Sequence, residues 1–372
     1  MKITFLVGNG FDVGLGIKSS YSAFYNWYCD TPSGKKHIEK FKNDIKTEIN
    51  AKEIPDDERK WADFESGIGW YTTRFTKETV EEYIDCYEDA QEAVARYLRE
   101  QEQTFHPEDY TPSSFTSFQE SLWKFYDGVS DQEKAAIKKD LDSTLNEHRE
   151  INVISFNYTN TLERIFNKLP EKNLSTWQYS QSTYAYKLNR NIIHVHGTTK
   201  VFPILGVNDE TQIENQDLLD SPQLQELLIK AKSVDALGQL WHIHAEEMIS
   251  NSRFVCVLGM SIGKTDAKWW RKLVQWLKAN EHRHLIIYWH EKTPPDGISI
   301  VKQLRSVTKV KDLLLSYSKL GESERAAIKN RIHVVINTKV FLQLPEKITP
   351  LPIKTEEIVT IEGIEKALAA AY

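Results

Sequence analysis

Six short apolar runs rich in β-branched residues occur along the chain, and each has the length of a buried β-strand. They lie at Ile3–Val7, Val153–Phe156, Ile192–Val195, Phe254–Leu258, Leu285–Trp289 and Ile332–Ile336. Several are continuously hydrophobic rather than alternating, which is typical of parallel strands covered by helices on both faces. Segments with helical periodicity separate the runs. The pattern therefore predicts an α/β fold with a mostly parallel sheet wound with helices.

The clearest helix is predicted over Asp266–Asn280, where Trp269, Leu273, Trp276 and Leu277 form one apolar stripe. Tryptophans at this spacing are more often part of a core than of a binding surface. We therefore expect this helix to pack on the sheet.

About 145 residues separate the first apolar run from the second, and they contain no convincing strand pattern. Apolar residues recur there at intervals of three and four, with polar or proline-containing breaks near 104–114 and 127–131. We interpret 35–150 as an all-helical insertion, and 1–34 together with 151–372 as the domain that contains the sheet. The tail is predicted to end in an alanine-rich helix between Glu357 and Tyr372.

Composition narrows the class of protein. The chain has 372 residues and a net charge of −6, from 47 lysines and arginines against 53 aspartates and glutamates, which disfavours nucleic acid as a partner. Three scattered cysteines without a CxxC pair exclude a disulfide framework or a four-cysteine zinc site. No apolar run approaches the roughly 20 residues of a membrane-spanning helix, and no signal peptide is evident. We expect a cytoplasmic protein without a membrane partner.

The first segment with recognisable chemistry follows the first predicted strand. Closely spaced glycines at Gly8, Gly10, Gly14 and Gly16 lead into a helix that Ser19 or Ser20 could cap. Such a strand, glycine turn and helix bring backbone N–H groups close to a pyrophosphate, so we expect a dinucleotide site rather than a plain tight turn. The dehydrogenase fingerprint fails, because its third glycine would fall at Val13 and its acidic second strand is missing.

Polar residues also end the second and third predicted strands. Asn157 lies at a strand's carboxyl end, where ligands bind in open α/β sheets, although Asn157 and Asn160 could equally well stabilise the turn and cap a helix. Strand alternation would turn His194 and His196 to one face. We expect His194 to be a satisfied core residue and His196 to be the better catalytic candidate. No HExxH or carboxylate pattern accompanies them, so no metal is expected.

The fourth segment, Gly259-Met260-Ser261, again follows a strand and precedes a helix that Thr265 or Asp266 could cap. Backbone and hydroxyl groups there could contact a ribose or phosphate, or the glycine could only serve the turn.

Two further groups leave alternatives open. Asp63 and Glu65 of the insertion could reach the pocket, although a solvated helix face is the favoured interpretation of these acids. His290 and Glu291 could line the site or only end the fifth strand.

Taken in order, these segments resemble the bacteriophage abortive infection AbiH family. The resemblance rests on Gly8-Asn9-Gly10-Phe11-Asp12 with Gly16 and Ser20-Tyr21, on Ser155–Glu163, and on His196-Gly197. More distantly, the same landmarks and Gly259-Met260-Ser261 are similar to sirtuins, which implies a Rossmann-like, sirtuin-like sheet.

The resemblance implies a site for NAD and a set of roles. Gly8, Asn9 and Gly10 would hold the pyrophosphate, and Gly259 and Ser261 would contact the adenosine side. The same motifs place Phe11, Asp12, Gly16 and Tyr158 among the nucleotide-binding residues. Asn157 would orient a water or a ribose hydroxyl, and His196 would be the general base for hydrolysis of the nicotinamide glycosidic bond.

Two departures from sirtuins matter. Thr159 stands where sirtuins have an acid, and the four-cysteine zinc module is missing, so an acetyl-lysine deacylase is disfavoured. The alternative to an NAD glycohydrolase is a non-catalytic nucleotide sensor or scaffold in phage defence. A nucleotide is thus the expected small-molecule partner, while a phage-derived trigger and a homo-oligomer stay open.

Overall fold

The strands of the sheet match the apolar runs closely. The computed structural model describes residues 1–51, 53–54, 59–144, 148–170, 174–179, 182–291 and 299–337. The strands in these ranges are β1 (Lys2–Val7), β2 (Arg149–Ser155), β3 (Leu174–Tyr179), β4 (Ser182–Leu188), β5 (Ile193–His194), β6 (Phe254–Leu258), β7 (His284–Trp289) and β8 (Ile332–Ile336). The six predicted strands are therefore present, and β3 and β4 are additional.

The sheet is ordered β3-β4-β2-β1-β6-β7-β8, and β5 pairs with β2 beyond the end of β4. Every pairing is parallel except the antiparallel β3–β4 pair. This confirms the predicted α/β class with a mostly parallel, Rossmann-like sheet. Because β2 and β6 lie on opposite sides of β1, the strand order reverses beside β1, where open α/β sheets bind ligands.

Helices fill most of the chain between β1 and β2. They are α1 (Gly10–Gly14), α2 (Tyr21–Cys29), α3 (Lys36–Asn50), α4 (Phe64–Tyr71), α5 (Val80–Glu102), α6 (Pro112–Trp123) and α7 (Asp131–Asp142). As expected, no strand interrupts them in the described residues. Ser20 caps α2 by accepting a hydrogen bond from the Ala23 backbone N–H.

The remaining helices follow the later strands. They are α8 (Thr161–Phe166), α9 (Pro222–Leu228), α10 (Lys230–Ala236), α11 (Trp241–Ser250), α12 (Ala267–Ala279), α13 (Ile300–Ser316) and α14 (Glu322–Lys329). The α12 tryptophans Trp269, Trp270 and Trp276 are buried, which confirms their assignment to the core. Among the helices described here, none combines the length and apolar character needed to cross a bilayer. The predicted tail helix lies outside the described residues.

Three apolar clusters organise the packing. One face of the sheet packs against α1, α6, α7 and α8, and the other against α11, α12, α13 and α14. A third, aromatic-rich cluster joins α2, α3, α4 and α5 to the segment 205–229. The division of the chain into two domains stays a prediction, but this third cluster positions helices beside the carboxyl end of the sheet.

Candidate functional site

A cleft of about 880 Å³, counted to its open mouth, lies at the carboxyl ends of β1, β2 and β6. Eight of the predicted site residues line it: Gly8, Asn9, Asp12, Asn157, Tyr158, His196, Gly259 and Ser261. The fold thus brings together side chains from four separated segments of the sequence.

The glycine turns after β1 and β6 pack directly on each other. The N–H of Gly8 donates to the Leu258 carbonyl at 2.9 Å, and the N–H of Gly10 donates to the Gly259 carbonyl at 2.7 Å. Gly259 has φ +67°, and a Cβ there would lie 2.5 Å from the Phe11 nitrogen. Glycine is therefore required at this contact for conformation and for space. The N–H groups of Gly8 and Gly10 are already used within the protein.

The other residues of the first motif have different surroundings. Asn9 is tied to Ser19, whose hydroxyl donates to Asn9 Oδ1 and whose carbonyl accepts from Asn9 Nδ2 at 2.9 Å. Phe11 is buried against Phe118 in the core under the sheet. Gly16 lies in the turn after α1 with φ +86° and has no atom near the position of a Cβ. The structure does not place Phe11 or Gly16 on the cleft wall, whereas Asn9 is on it.

Asp12 and Asn157 form a buried polar wall of the cleft. Asp12 is 1% exposed and Asn157 is 5% exposed. Thr159 donates from its hydroxyl to Asp12 Oδ2 at 2.5 Å. Asp12 Oδ1 and both amide atoms of Asn157 have no hydrogen-bond partner among the described residues. Buried polar atoms are nearly always hydrogen-bonded, so this wall is suited to a polar ligand.

Burial sets the protonation of Asp12. It raises the pKa of Asp12 to about 6, although the Thr159, Thr161 and Asn157 side chains oppose the shift. The nearby Glu102 carboxylate raises this pKa further. Asp12 consequently changes charge just below neutral pH.

His196 lies on the wall of the same cleft just beyond β5, and its ring contacts Phe156 and Tyr158 on either side of Asn157. It is 4% exposed, and its Nε2 is 3.6 Å from Asp266 Oδ1. Burial lowers the pKa of His196 well below its usual value, and the Lys230 and His242 charges lower it further. The imidazole is therefore neutral at pH 7, which is the form that can accept a proton.

His194 has a different role from His196. It forms hydrogen bonds to the Asn157 carbonyl at 2.8 Å and to Glu163 Oε1 at 2.6 Å. Both ring nitrogens are thus satisfied, as expected for a structural histidine. Because β5 ends at His194, strand alternation does not extend to His196, and the two rings have different partners.

A buried charge cluster forms the side of the cleft nearest the helices. Lys230 Nζ lies 2.6 Å from Glu65 Oε2 and 3.2 Å from Asp266 Oδ1. Burial raises the pKa of Glu65 against the opposing effect of Lys230. Burial alone would lower the pKa of Lys230, but the Asp266 and Glu65 carboxylates outweigh it and raise that pKa.

This cluster corrects one sequence interpretation. Glu65 is buried and lines the cleft, so its assignment to a solvated helix face is wrong. Asp63 caps α4 by accepting from the Glu65 and Ser66 N–H groups, and this turns Glu65 inward at the start of the helix. Asp63 also lines the cleft. The cap, rather than helix periodicity, determines where the two acids point.

The charges of the cleft wall are unbalanced. Four carboxyl groups line it, from Asp12, Asp63, Glu65 and Asp266, while Lys230 is the lysine among its lining residues. Such a wall attracts positively charged parts of a ligand and disfavours negatively charged parts deep in the cleft. Side chains of α2 and α5 cover the side away from the sheet, namely Tyr21, Phe24, Val94, Tyr97 and Leu98.

A second cleft adjoins the first across the glycine turns. It shares Asn9 and the segment Gly259-Met260-Ser261 with the first cleft and extends over the ends of β7 and β8. Gly10 and His290 line it, together with Trp289 and Asn337. Glu291 instead interacts with Ser306 and Asn337. His290 therefore borders a cleft, and Glu291 holds the strand ends together.

The sequence pattern did not identify Lys230, and it considered Asp266 only as a helix cap. Asp266 occupies the cap position of α12 but makes no capping hydrogen bond with its side chain. One signal was available for Lys230, because it directly follows the apolar Leu227-Leu228-Ile229. A lysine that continues a buried run usually needs a carboxylate partner.

Comparisons with known proteins complete the description of the site. The family model described as "Bacteriophage abortive infection AbiH" matches residues 4–288. No curated protein sequence gives a significant match to the chain. The matched span includes every residue named on the first cleft.

Proposed function

Since the chain belongs to the bacteriophage abortive infection AbiH family, we propose that its first cleft binds NAD and hydrolyses the nicotinamide glycosidic bond. Membership of the family implies a role in abortive infection, and NAD hydrolysis is our proposal for how the chain acts. Loss of NAD would stop the metabolism of an infected cell.

One observation carries the proposal: a buried, neutral imidazole lies on the wall of the same cleft as a buried amide. The amide has no hydrogen-bond partner among the described residues. The two residues are His196 and Asn157, which come from different strand ends. A hydrolase of this kind needs one base and one group that orients a water. These two residues match those two needs.

The acidic lining supports the same chemistry. In NAD the nicotinamide ring is cationic, and positive charge moves to the ribose as the glycosidic bond breaks. Carboxylates near that carbon stabilise the charge, as in other glycoside-cleaving sites. A cleft with four carboxyl groups suits the nicotinamide riboside half better than the pyrophosphate.

The proposed reaction is simple in its bonds. The ribose C1′–N1 bond breaks, and the nicotinamide leaves as a neutral molecule with the bonding electron pair. A water oriented by Asn157 attacks C1′, and its proton passes to the neutral His196. The products are ADP-ribose and nicotinamide. General-base assistance of this kind is worth on the order of 10²–10⁴-fold in rate.

The remainder of NAD would extend toward the second cleft. Gly259 and Ser261 border both clefts, so they could contact the adenosine side. The N–H groups of Gly8 and Gly10 are used within the protein. Asn9 is exposed, and its Nδ2 has a second hydrogen besides the one given to the Ser19 carbonyl, so Asn9 is the residue of that turn assigned to the pyrophosphate. This division puts the anionic part of NAD near the mouth and the cationic part inside.

Nicotinamide release from NAD tests the proposal. Purified protein is incubated with a panel of nucleotides, with and without lysate of phage-infected cells, and the products are separated by chromatography. We expect nicotinamide from the wild type and a loss of at least about 100-fold in His196→Ala and Asn157→Ala. His244→Ala is the matched control, because His244 is exposed on α11.

Three results would have different meanings. Full activity in both variants would refute the assigned roles. Intact NAD under all conditions would refute the hydrolase. A nucleotide bound in calorimetry but unchanged after long incubation would favour the alternative, a sensor without turnover.

A further inference from the structure

Asp12 Oδ1 is a buried carboxylate oxygen without a hydrogen-bond partner among the described residues, and the Asp12 side chain lines the first cleft. Leaving such an oxygen unpaired is costly, and the cost is greater for a charged group. An asparagine or serine would be cheaper to bury here. A bound ligand that donates a hydrogen bond to Oδ1 would remove this cost, and a ligand-binding role would explain why an aspartate stands at this position.

The surroundings fix which atom is available. Thr159 donates to Oδ2 and holds the carboxyl group in place. The Thr161 hydroxyl and the Asn157 amide lie close enough to the carboxyl group to lower its pKa by hydrogen bonding, but neither completes a hydrogen bond to Oδ1, so Oδ1 can still accept one from a ligand. Asn157 lies beside the group, since its side chain lowers the pKa of Asp12. A charged carboxylate only accepts hydrogen bonds, so the ligand atom must be a donor.

We propose that Asp12 Oδ1 accepts a hydrogen bond from a ribose hydroxyl next to the scissile bond, which makes Asp12 a catalytic residue. This inference rests on the proposed hydrolysis of NAD. A phosphate is excluded at this point because it offers no donor and carries the same charge. The hydroxyl fits because Asn157, on the same wall, is assigned to the water or to the ribose.

The contact would matter more in the transition state than in the bound substrate. Hydrogen bonds to the 2-hydroxyl strengthen as a sugar ring gains positive charge. The ionised Asp12 carboxylate would also attract that charge directly. Removal of one such preorganised group typically lowers kcat by about 10²–10³-fold.

Substrates that lack one hydroxyl provide the binding test. Affinities of NAD and of its 2′-deoxy and 3′-deoxy nicotinamide-ribose analogues are measured by calorimetry in a His196→Ala background, which suppresses turnover. We expect NAD to bind about tenfold or more tightly than one of the analogues. Adding Asp12→Asn, whose amide oxygen is an uncharged and weaker acceptor, should reduce this preference clearly, whereas adding Asp30→Asn, at an exposed aspartate, should keep it.

Turnover provides a second, independent readout. We expect Asp12→Asn to lower kcat about 100-fold with a smaller effect on KM, and Asp30→Asn to change neither. The wild-type rate should rise with pH through about 6, where Asp12 ionises, and the variant should lack that rise. Glu102 of α5 and His194 of β5 are the other charged groups that interact with Asp12, and both stay unchanged in this comparison. Asp12→Ser serves as a second variant if Asp12→Asn does not fold.

The outcomes separate this inference from the proposed function. If wild type releases nicotinamide but Asp12→Asn matches the control in kcat, pH profile and hydroxyl preference, the role of Asp12 is refuted and the hydrolase stands. If NAD binds without cleavage, the hydrolase fails, and the hydroxyl preference alone decides whether the Asp12 contact exists. If NAD does not bind, both are refuted.

Discussion

Replacing Asp12 with asparagine should stabilise the fold at pH 8. An unfolded aspartate ionises near pH 3.8, whereas burial raises the pKa of folded Asp12 to about 6. Between these values the folded protein retains a proton that the unfolded chain has released. The stability associated with Asp12 is therefore complete below pH 3.8 and is lost as the pH rises through about 6. Asparagine has no charge to bury and avoids this loss.

The magnitude follows from the shift of about two pKa units, at 1.36 kcal/mol each. From pH 4 to pH 8, the free energy of unfolding of Asp12→Asn should rise by about 2 kcal/mol relative to wild type, because more than half of the unfolded aspartate is already ionised at pH 4. Urea unfolding of both proteins in the same buffers measures this difference. Every other group titrates in the same way in wild type and variant, so the contributions of these groups cancel to first order when the two free energies of unfolding are subtracted. If the difference in stability between the two proteins stays constant with pH, or favours wild type at pH 8, then burial does not raise the pKa of Asp12. The energetic cost of burying Asp12, on which its proposed role rests, would then be refuted as well.

Three other substitutions test separate parts of the cleft. Lys230→Met should destabilise the fold by about 3 kcal/mol, because it leaves Glu65 buried without its cation, and urea unfolding at pH 7 measures the loss. Gly259→Ala should lower the thermal midpoint far more than Gly16→Ala, since both have positive φ but only Gly259 has backbone at the Cβ position. Thr159→Val should shift the low-pH limb of the pH–activity profile to higher pH, because the Thr159 hydroxyl favours the ionised form of Asp12 and its loss raises the pKa of Asp12. A limb at the same pH in both proteins would contradict this.

The sequence was sufficient for most of the sheet because its strands are buried on both faces. β1, β6, β7 and β8 consist mostly of apolar residues, and such runs differ from the surrounding amphipathic helices. In β2 only the second half, around Val153 and Ile154, has this pattern, and the prediction therefore began later than the strand does. β3 and β4 escaped prediction because Leu174–Leu188 is rich in serine, threonine, glutamine and tyrosine. The pattern there contains no apolar run and no glycine turn to mark a hairpin.

The site was predictable only where the sheet itself positions it. Asn157 and His196 follow strands, and parallel strands place their carboxyl ends at one edge, so local sequence indicates that they meet. Lys230 and Glu65 come from helix starts whose approach to the sheet depends on the aromatic cluster between the helices. Long-range packing of that kind leaves no periodic trace. Local sequence therefore gave the acids the wrong environment and overlooked the lysine.

The interlocked turns after β1 and β6 also determine when the cleft can exist during synthesis. One wall begins at Gly8, whereas the carbonyls that hold it belong to Leu258 and Gly259, about 250 residues later in the chain. Asp266, beside the proposed base, is made later still. The chain must therefore be translated through Asp266 before the cleft can close around a ligand. Truncated products that end before these residues are expected to lack the first cleft.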